Sequence, residues 1–94
     1  MRVYISGPMT GIPGLNFTAF NDAEVRLKAA GYGVSNPAAK GEIDGFTWSD
    51  YLRVDLRELT TCGGIYLLPG WENSKGACLE YHVAKELGLT EVRL

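Results

Sequence analysis

Residues 64–88, GIYLLPGWENSKGACLEYHVAKELG, hold the pattern that decides the fold. The run Gly64–Leu68 is apolar throughout, which is typical of a central strand, and Pro69-Gly70 ends it. Ser74 then caps a helix that ends at Gly88, with apolar residues at helical spacing between these two positions. An apolar strand followed at once by a helix is the repeating unit of a parallel sheet.

The rest of the chain repeats this alternation of strand and helix. Further strands are predicted at Arg2–Ser6, Tyr32–Ser35 and Glu91–Leu94. Further helices are predicted from the N-cap Asn16 to Gly31 and over Thr47–Thr61, where Thr47-Trp48-Ser49-Asp50 resembles a capping box. The alternation favours an α/β fold: a single small flavodoxin-like or Rossmann-like domain over residues 1–94, with a four-stranded parallel sheet in the order 2-1-3-4 and three main helices.

Two carboxylates occupy helix positions where apolar side chains are expected. Glu80 lies in the middle of a face made of Ala77, Leu79, Tyr81, Val83, Ala84 and Leu87. Asp55 lies in the middle of a face made of Trp48, Tyr51, Leu52, Leu56 and Leu59. Such a group loses hydration and must be paired, protonated or turned into a cleft. One such residue is more often a structural ion pair, whereas two in consecutive helices favour an acid/base or nucleophile pair.

The carboxyl ends of the strands are the expected ligand-binding edge, because ligands of parallel sheets bind there, where the strand order reverses. The segments Ser6–Gly14, Asn36-Pro37 and Pro69–Ser74 should meet at this edge, and Glu80 should point back toward it. The Gly7–Gly14 loop matches neither a dinucleotide-binding nor a Walker motif, so an ordinary strand-to-helix turn also explains it.

The start of the third helix suits an anion. Ser74, Lys75 and Gly76 would offer a hydroxyl, an ammonium and free backbone N–H groups to a phosphate. A simple helix cap at Ser74 explains the same serine equally well.

Composition excludes several classes of partner. The 94 residues carry a net charge of −2, which gives no basic field for a nucleic acid polymer, and the apolar runs are too short to span a membrane. Cys62, Cys78 and the single His82 have no metal-site spacing, and Met1 leads directly into a strand without a signal peptide. We expect a cytoplasmic protein with reduced thiols and no metal or organic cofactor. So small a domain is also expected to form a homodimer or a larger assembly, with Trp48, Tyr51 and Tyr81 near the contact.

Together these residues resemble the nucleoside 2-deoxyribosyltransferase-like superfamily, which includes a 2'-deoxynucleoside 5'-phosphate N-hydrolase branch and small phage-associated members. Val3–Pro8 looks like the first strand of that family, with Tyr4 at its active-site tyrosine. Asp55, in VDLREL, matches the aspartate of its second conserved helix. Ser74-x-Gly76-x-x-x-Glu80 matches the segment that ends in the catalytic glutamate, six residues after an Asp or Ser.

The resemblance implies cleavage or transfer of an N-glycosidic bond through a covalent intermediate. Glu80 would attack the anomeric carbon, Asp55 would help to protonate the departing base and position the sugar, and Tyr4 would orient Glu80. The substrate or its phosphate would contact Ser6, Gly7, Pro8, Met9, Ser74, Lys75 and Gly76. Members with Ser at the position of Ser74 take 5'-monophosphates, so the resemblance implies a (deoxy)nucleoside 5'-monophosphate as substrate.

Two other functions fit the same residues. The pocket could hold a nucleotide or a nucleotide-derived signal without turnover, and intact ligand in the complex would then persist. Hydrolysis of the nicotinamide–ribose bond of an NAD-like molecule also uses a glutamate on a similar fold, although so short a chain leaves little room for a dinucleotide.

Overall fold

The computed structural model describes residues 1–94. The strands are β1 (Arg2–Ser6), β2 (Gly33–Ser35), β3 (Gly64–Leu67) and β4 (Thr90–Glu91). The main helices are α1 (Phe17–Ala29), α2 (Trp48–Leu59) and α3 (Lys75–Glu86). Short 3₁₀ turns at Pro13–Asn16, Pro37–Lys40 and Trp71–Asn73 lie just before the three helices or in the loops that lead to them.

The four strands form one parallel sheet in the order β2-β1-β3-β4, which confirms the predicted order and fold class. β1 lies between β2 and β3, with Tyr4 opposite Ser35 on one side and Ser6 opposite Leu67 on the other. The strand order therefore reverses at β1, and the carboxyl end of β1 is the predicted ligand-binding edge.

β1 divides the core into two layers because successive side chains of a strand point to opposite faces. On the α1 side the buried cluster contains Val3, Ile5, Phe20, Ala23, Leu27, Ala38, Leu68 and Val92. On the side of α2 and α3 it contains Tyr4, Leu59, Cys62, Ile65 and Ala84. Tyr4 and Ser6 are two residues apart, so both point toward α2 and α3.

Glu80 lies on the buried face of α3, as predicted, but this face is narrower than the sequence pattern indicated. Its buried neighbours are Ala77 and Ala84, about one turn away on either side, whereas Leu79 and Leu87 are 37% and 54% exposed. The small alanine side chains let α3 lie close to the sheet, and the two leucines turn toward solvent.

The predicted N-caps are present except at α1, although α2 ends at Leu59 rather than at the predicted Thr61. The Thr47–Asp50 capping box and the Ser74 cap are both present. Asn16, however, has a left-handed backbone (φ 61°) and no side-chain bond to α1; its Nδ2 atom donates instead to the carbonyl oxygen of Pro8, at 3.0 Å. The predicted cap is therefore wrong, because this amide ties the loop after β1 to the start of α1.

The strand ends also differ from the prediction. β2 begins at Gly33 rather than Tyr32, and β3 ends at Leu67 rather than Leu68. β4 covers Thr90–Glu91 rather than Glu91–Leu94, because it pairs only with the first two residues of β3.

Gly7, directly after β1, brings the first loop against the end of β3. A Cβ atom at this position would lie 2.7 Å from Cβ and 2.9 Å from Cδ1 of Leu68. Because Leu68 Cβ moves only with its backbone, we expect Gly7→Ala to lower the free energy of unfolding by about 1–3 kcal/mol.

Gly33→Ala is the control, since a Cβ atom there would meet Arg2 at an ordinary 3.8 Å. Its stability should stay within about 0.5 kcal/mol of the parent. Urea unfolding followed by circular dichroism compares the two variants, and equal stabilities would contradict the close approach at Gly7.

Candidate active site

Glu80 is the buried acid at the centre of the site. The residue is 6% exposed, and both oxygens of its carboxyl group accept hydrogen bonds. Tyr4 Oη donates to Oε2 at 2.8 Å, and Ser6 Oγ donates to Oε1 at 2.6 Å. Because both donors stand on β1, the central strand of the sheet fixes the orientation of the carboxyl group.

Burial raises the pKa of Glu80 to about 7. The hydrogen bonds from Ser6 and Tyr4 lower this pKa, and the nearby charge of Asp55 raises it. Burial, with the charge of Glu80, also raises the pKa of Tyr4 well above its ordinary value, so the phenol remains a donor. Near neutral pH, Glu80 therefore exists in both its neutral and its ionised form.

Asp55, the second predicted acid, lies on α2 in an ion pair. Lys40 Nζ donates to Asp55 Oδ1 at 2.5 Å, and the two side chains are only 22% and 17% exposed. Burial raises the pKa of Asp55, and the contact with Lys40 opposes this rise. The two carboxyl groups therefore have different environments: hydroxyl donors surround Glu80, and an ammonium contacts Asp55.

Lys40 is the site residue that the sequence reasoning missed. It ends the turn Pro37–Lys40, where the Asn36 side chain accepts from Ala38 N and Lys40 Nζ also donates to Pro37 O at 2.9 Å. The sequence contained only indirect evidence for Lys40. A cation follows Asn36-Pro37 at the predicted ligand-binding edge, and an aspartate on an apolar helix face needs a partner.

The site opens into a cavity of about 590 Å³, a size in the range of small-molecule sites. The predicted site residues that line it are Tyr4, Gly7, Pro8, Met9, Asp55, Ser74, Lys75, Gly76 and Glu80. Its apolar and aromatic wall includes Leu15, Phe17, Phe20, Pro37, Trp48, Tyr51 and Leu52. Ser6 is fully buried and does not line the cavity, so its hydroxyl contacts Glu80 rather than the open space.

The start of α3 also lines the cavity. Ser74 Oγ accepts from Ala77 N at 3.2 Å as a helix cap, which leaves the hydroxyl hydrogen able to donate. Lys75 Nζ lies 4.6 Å from the centre of the Trp48 ring, so this ammonium connects α3 to α2 beside the cavity.

The other titratable groups named from the sequence lie outside the site. His82 is exposed, as predicted, and Cys62 and Cys78 are free thiols. No group of three or more His, Cys, Asp or Glu side chains is arranged to hold a metal ion. None of the helices has the length and apolarity needed to cross a membrane.

The chain was compared with protein families, curated proteins and solved structures. A family model described as "Domain of unknown function (DUF4406)" matches residues 1–92. No curated protein matches the sequence. Among solved structures, the chain is similar to a 2-deoxyribosyltransferase from the psychrotolerant bacterium Bacillus psychrosaccharolyticus, with a TM-score of 0.74 and 16% sequence identity over 97% of this chain and 69% of that one. This likeness confirms the fold.

The raised pKa of Glu80 makes stability depend on pH in a defined direction. The folded pKa of about 7 lies above the ordinary 4.5, so the folded chain binds this proton more tightly than the unfolded chain does. The resulting stabilisation is complete below about pH 4.5 and is lost as the pH rises through about 7. We expect Glu80→Gln, which cannot ionise, to be more stable than the parent by up to about 3 kcal/mol at about pH 8.

At about pH 4.5 this advantage should disappear. Urea unfolding of both proteins at the two pH values measures it, with the exposed Glu86→Gln on the same helix as the control. A difference between Glu80→Gln and the parent that does not change with pH would contradict the raised pKa.

Proposed function

We propose a function for this chain, which belongs to the DUF4406 family: cleavage or transfer of the N-glycosidic bond of a (deoxy)nucleoside 5'-monophosphate. One observation carries the proposal. Glu80 is buried, lines the cavity and has both carboxyl oxygens held by Tyr4 and Ser6, and a second carboxylate, Asp55, lines the same cavity. Two carboxyl groups beside one sugar are what a double-displacement glycosidase needs.

In the first step, ionised Glu80 attacks the anomeric carbon of the sugar, and the bond from this carbon to the base breaks. The electron pair of that bond stays on the base, which takes up a proton with the help of Asp55. In the second step, water or a second base attacks the glycosyl ester and frees Glu80. The pKa of about 7 leaves part of Glu80 ionised at neutral pH, as attack requires.

The walls of the cavity support binding of both ends of a nucleotide. The aromatic and apolar side chains of Phe17, Tyr51 and Leu52 offer a surface for a flat base. The loop at Gly7 and the start of α3 offer backbone N–H groups, and Ser74 adds a hydroxyl donor for a phosphate.

The comparisons support the same reaction class. The structural neighbour is named as a 2-deoxyribosyltransferase, and the motif that joins Ser74 to Glu80 resembles the N-hydrolase branch of that superfamily. The homodimer stays a prediction; exposed Trp48 and Leu79, on the two helices that border the cavity, support it.

Glu80→Gln tests the proposed nucleophile. The parent should release free base from at least one member of a panel of nucleosides, 5'-monophosphates and NAD, as measured by chromatography. Glu80→Gln should release base at least about a thousandfold more slowly, because an amide cannot form the glycosyl ester.

The exposed Glu86→Gln on the same helix should keep the parent rate. Base release by Glu80→Gln at a rate near that of the parent would exclude Glu80 as the nucleophile. A parent that binds a nucleotide and returns it intact would support a binding module instead.

Ser74→Asp tests whether the site prefers a substrate with a 5'-phosphate. The parent should have a higher kcat/KM for a 5'-monophosphate than for the matching nucleoside, because a serine hydroxyl donates to phosphate. Ser74→Asp should lower this preference by at least about tenfold, since a second anion repels the phosphate. Ser74→Asn, which keeps a capping side chain without a charge, should retain the preference.

Side-by-side kinetics of the three proteins measure the effect. A nucleoside preferred by the parent, or a monophosphate preference unchanged in Ser74→Asp, would contradict the assignment.

A further inference from the structure

The ion pair between Lys40 and Asp55 differs from the other ion pairs of the chain in its location. The remaining pairs lie at the surface, whereas both members of this one line the cavity of the proposed active site. Lys40 is also the only cation within 4.0 Å of the oxygens of Asp55 or Glu80. Any proton that leaves or enters the second carboxyl group therefore does so beside this ammonium.

Lys40 is held in place from two directions. Its Nζ donates to Asp55 Oδ1 at 2.5 Å and to Pro37 O at 2.9 Å, which engages two of the three N–H bonds of an ammonium. The carbonyl of Pro37 belongs to the turn that Asn36 caps, so the anchor is part of the fold. Nζ and Oδ1 are in direct hydrogen-bond contact, so a proton can pass between them without an intervening water.

Lys40 and Asp55 also line a second, smaller cavity of about 310 Å³. Its other walls include Arg2, Ser35 and Glu58. The pair therefore faces two spaces, and a nucleotide in the larger cavity would still leave the smaller one open to water.

We infer that Lys40 is the proton reservoir for the departing base and acts through Asp55. This inference rests on the function proposed above. As the bond from the anomeric carbon to the base breaks, one proton moves from Lys40 Nζ to Asp55 Oδ1 and from that oxygen to the base. Lys40 is left as a neutral amine. When water then attacks the glycosyl ester, the proton that the water loses returns to Lys40, directly or through the smaller cavity.

The charges around the pair agree with this route. The groups that face Asp55 are Lys40 from the turn after β2, Glu58 on α2 itself, and Glu80 from α3 together with the neutral Tyr4 from β1. The two glutamates favour retention of a proton in the pair. Burial brings the neutral form of Asp55 closer in free energy to its ionised form, which a relay through this oxygen requires.

Two substitutions separate proton supply from charge. Lys40→Met removes both, whereas Lys40→Arg keeps the positive charge beside Asp55 but does not give up a proton. At about pH 8, both variants should lose about 10²- to 10⁴-fold in kcat on the 5'-monophosphate that the parent cleaves best. As the pH falls, Lys40→Met should recover toward the parent, because Asp55 then carries its own proton, and Lys40→Arg should not.

The leaving base supplies the second readout. The same nucleotide is modified so that its base departs with less need of a proton, by N7-methylation of a purine or 5-halogenation of a pyrimidine. On this substrate both Lys40 variants should recover most of the lost rate relative to the parent. The control is Lys28→Met, which breaks the exposed pair of Lys28 with Glu24 and should keep the parent rate on both substrates.

Each result decides between two roles. Parent-like activity of Lys40→Arg at about pH 8 would mean that Lys40 supplies only charge. Equal losses of rate on both substrates would mean that Lys40 has a structural role. Either result overturns the inference and leaves the proposed function intact. If the parent releases no base from any compound, the proposed function is wrong, and so is the inference about Lys40.

Discussion

The rest of the site depends on one constraint, the burial of the Glu80 carboxyl group against the central strand. A charge with so little exposure needs compensation, and two hydroxyl donors from β1 provide it. The strand can do this because Tyr4 and Ser6 stand on the same face of the sheet. Ala77 and Ala84 complete the arrangement, since small side chains around Glu80 let α3 approach that face.

The second carboxyl group has a different environment, and the proposed mechanism depends on this difference. Glu80 has hydroxyl neighbours and a pKa near 7, so it can change its protonation state within the neutral range. Asp55 has an ammonium neighbour in direct contact, with Lys40 Nζ donating to its Oδ1 atom. When two carboxyl groups in one pocket have different environments, one can act as a proton donor and the other as a nucleophile.

The fold could be predicted from the sequence because strands and helices alternate with little ambiguity. This alternation predicted a parallel sheet, and a flavodoxin-like topology gave the order 2-1-3-4 that the structure has. Glu80 and Asp55 could be found because each interrupts an apolar helix face. These are local signals, and helical or strand periodicity encodes them directly.

The features that the sequence did not reveal depend on tertiary contacts. Lys40 and Asp55 are fifteen residues apart in the sequence, and only the fold brings their side chains into contact. Asn16 has the residue type and position of a helix cap, yet the left-handed backbone turns its amide toward Pro8. A capping pattern specifies which residue can cap a helix, whereas the loop before the helix decides whether it does.

In the proposed mechanism Glu80 forms a covalent bond to the sugar, and rapid acid quenching followed by mass spectrometry detects such a bond. The parent is mixed with the 5'-monophosphate that it cleaves and quenched within the first turnover. We expect an added pentosyl phosphate on the α3 peptide that contains Glu80. Base release without any adduct, or an adduct on a different residue, would contradict it.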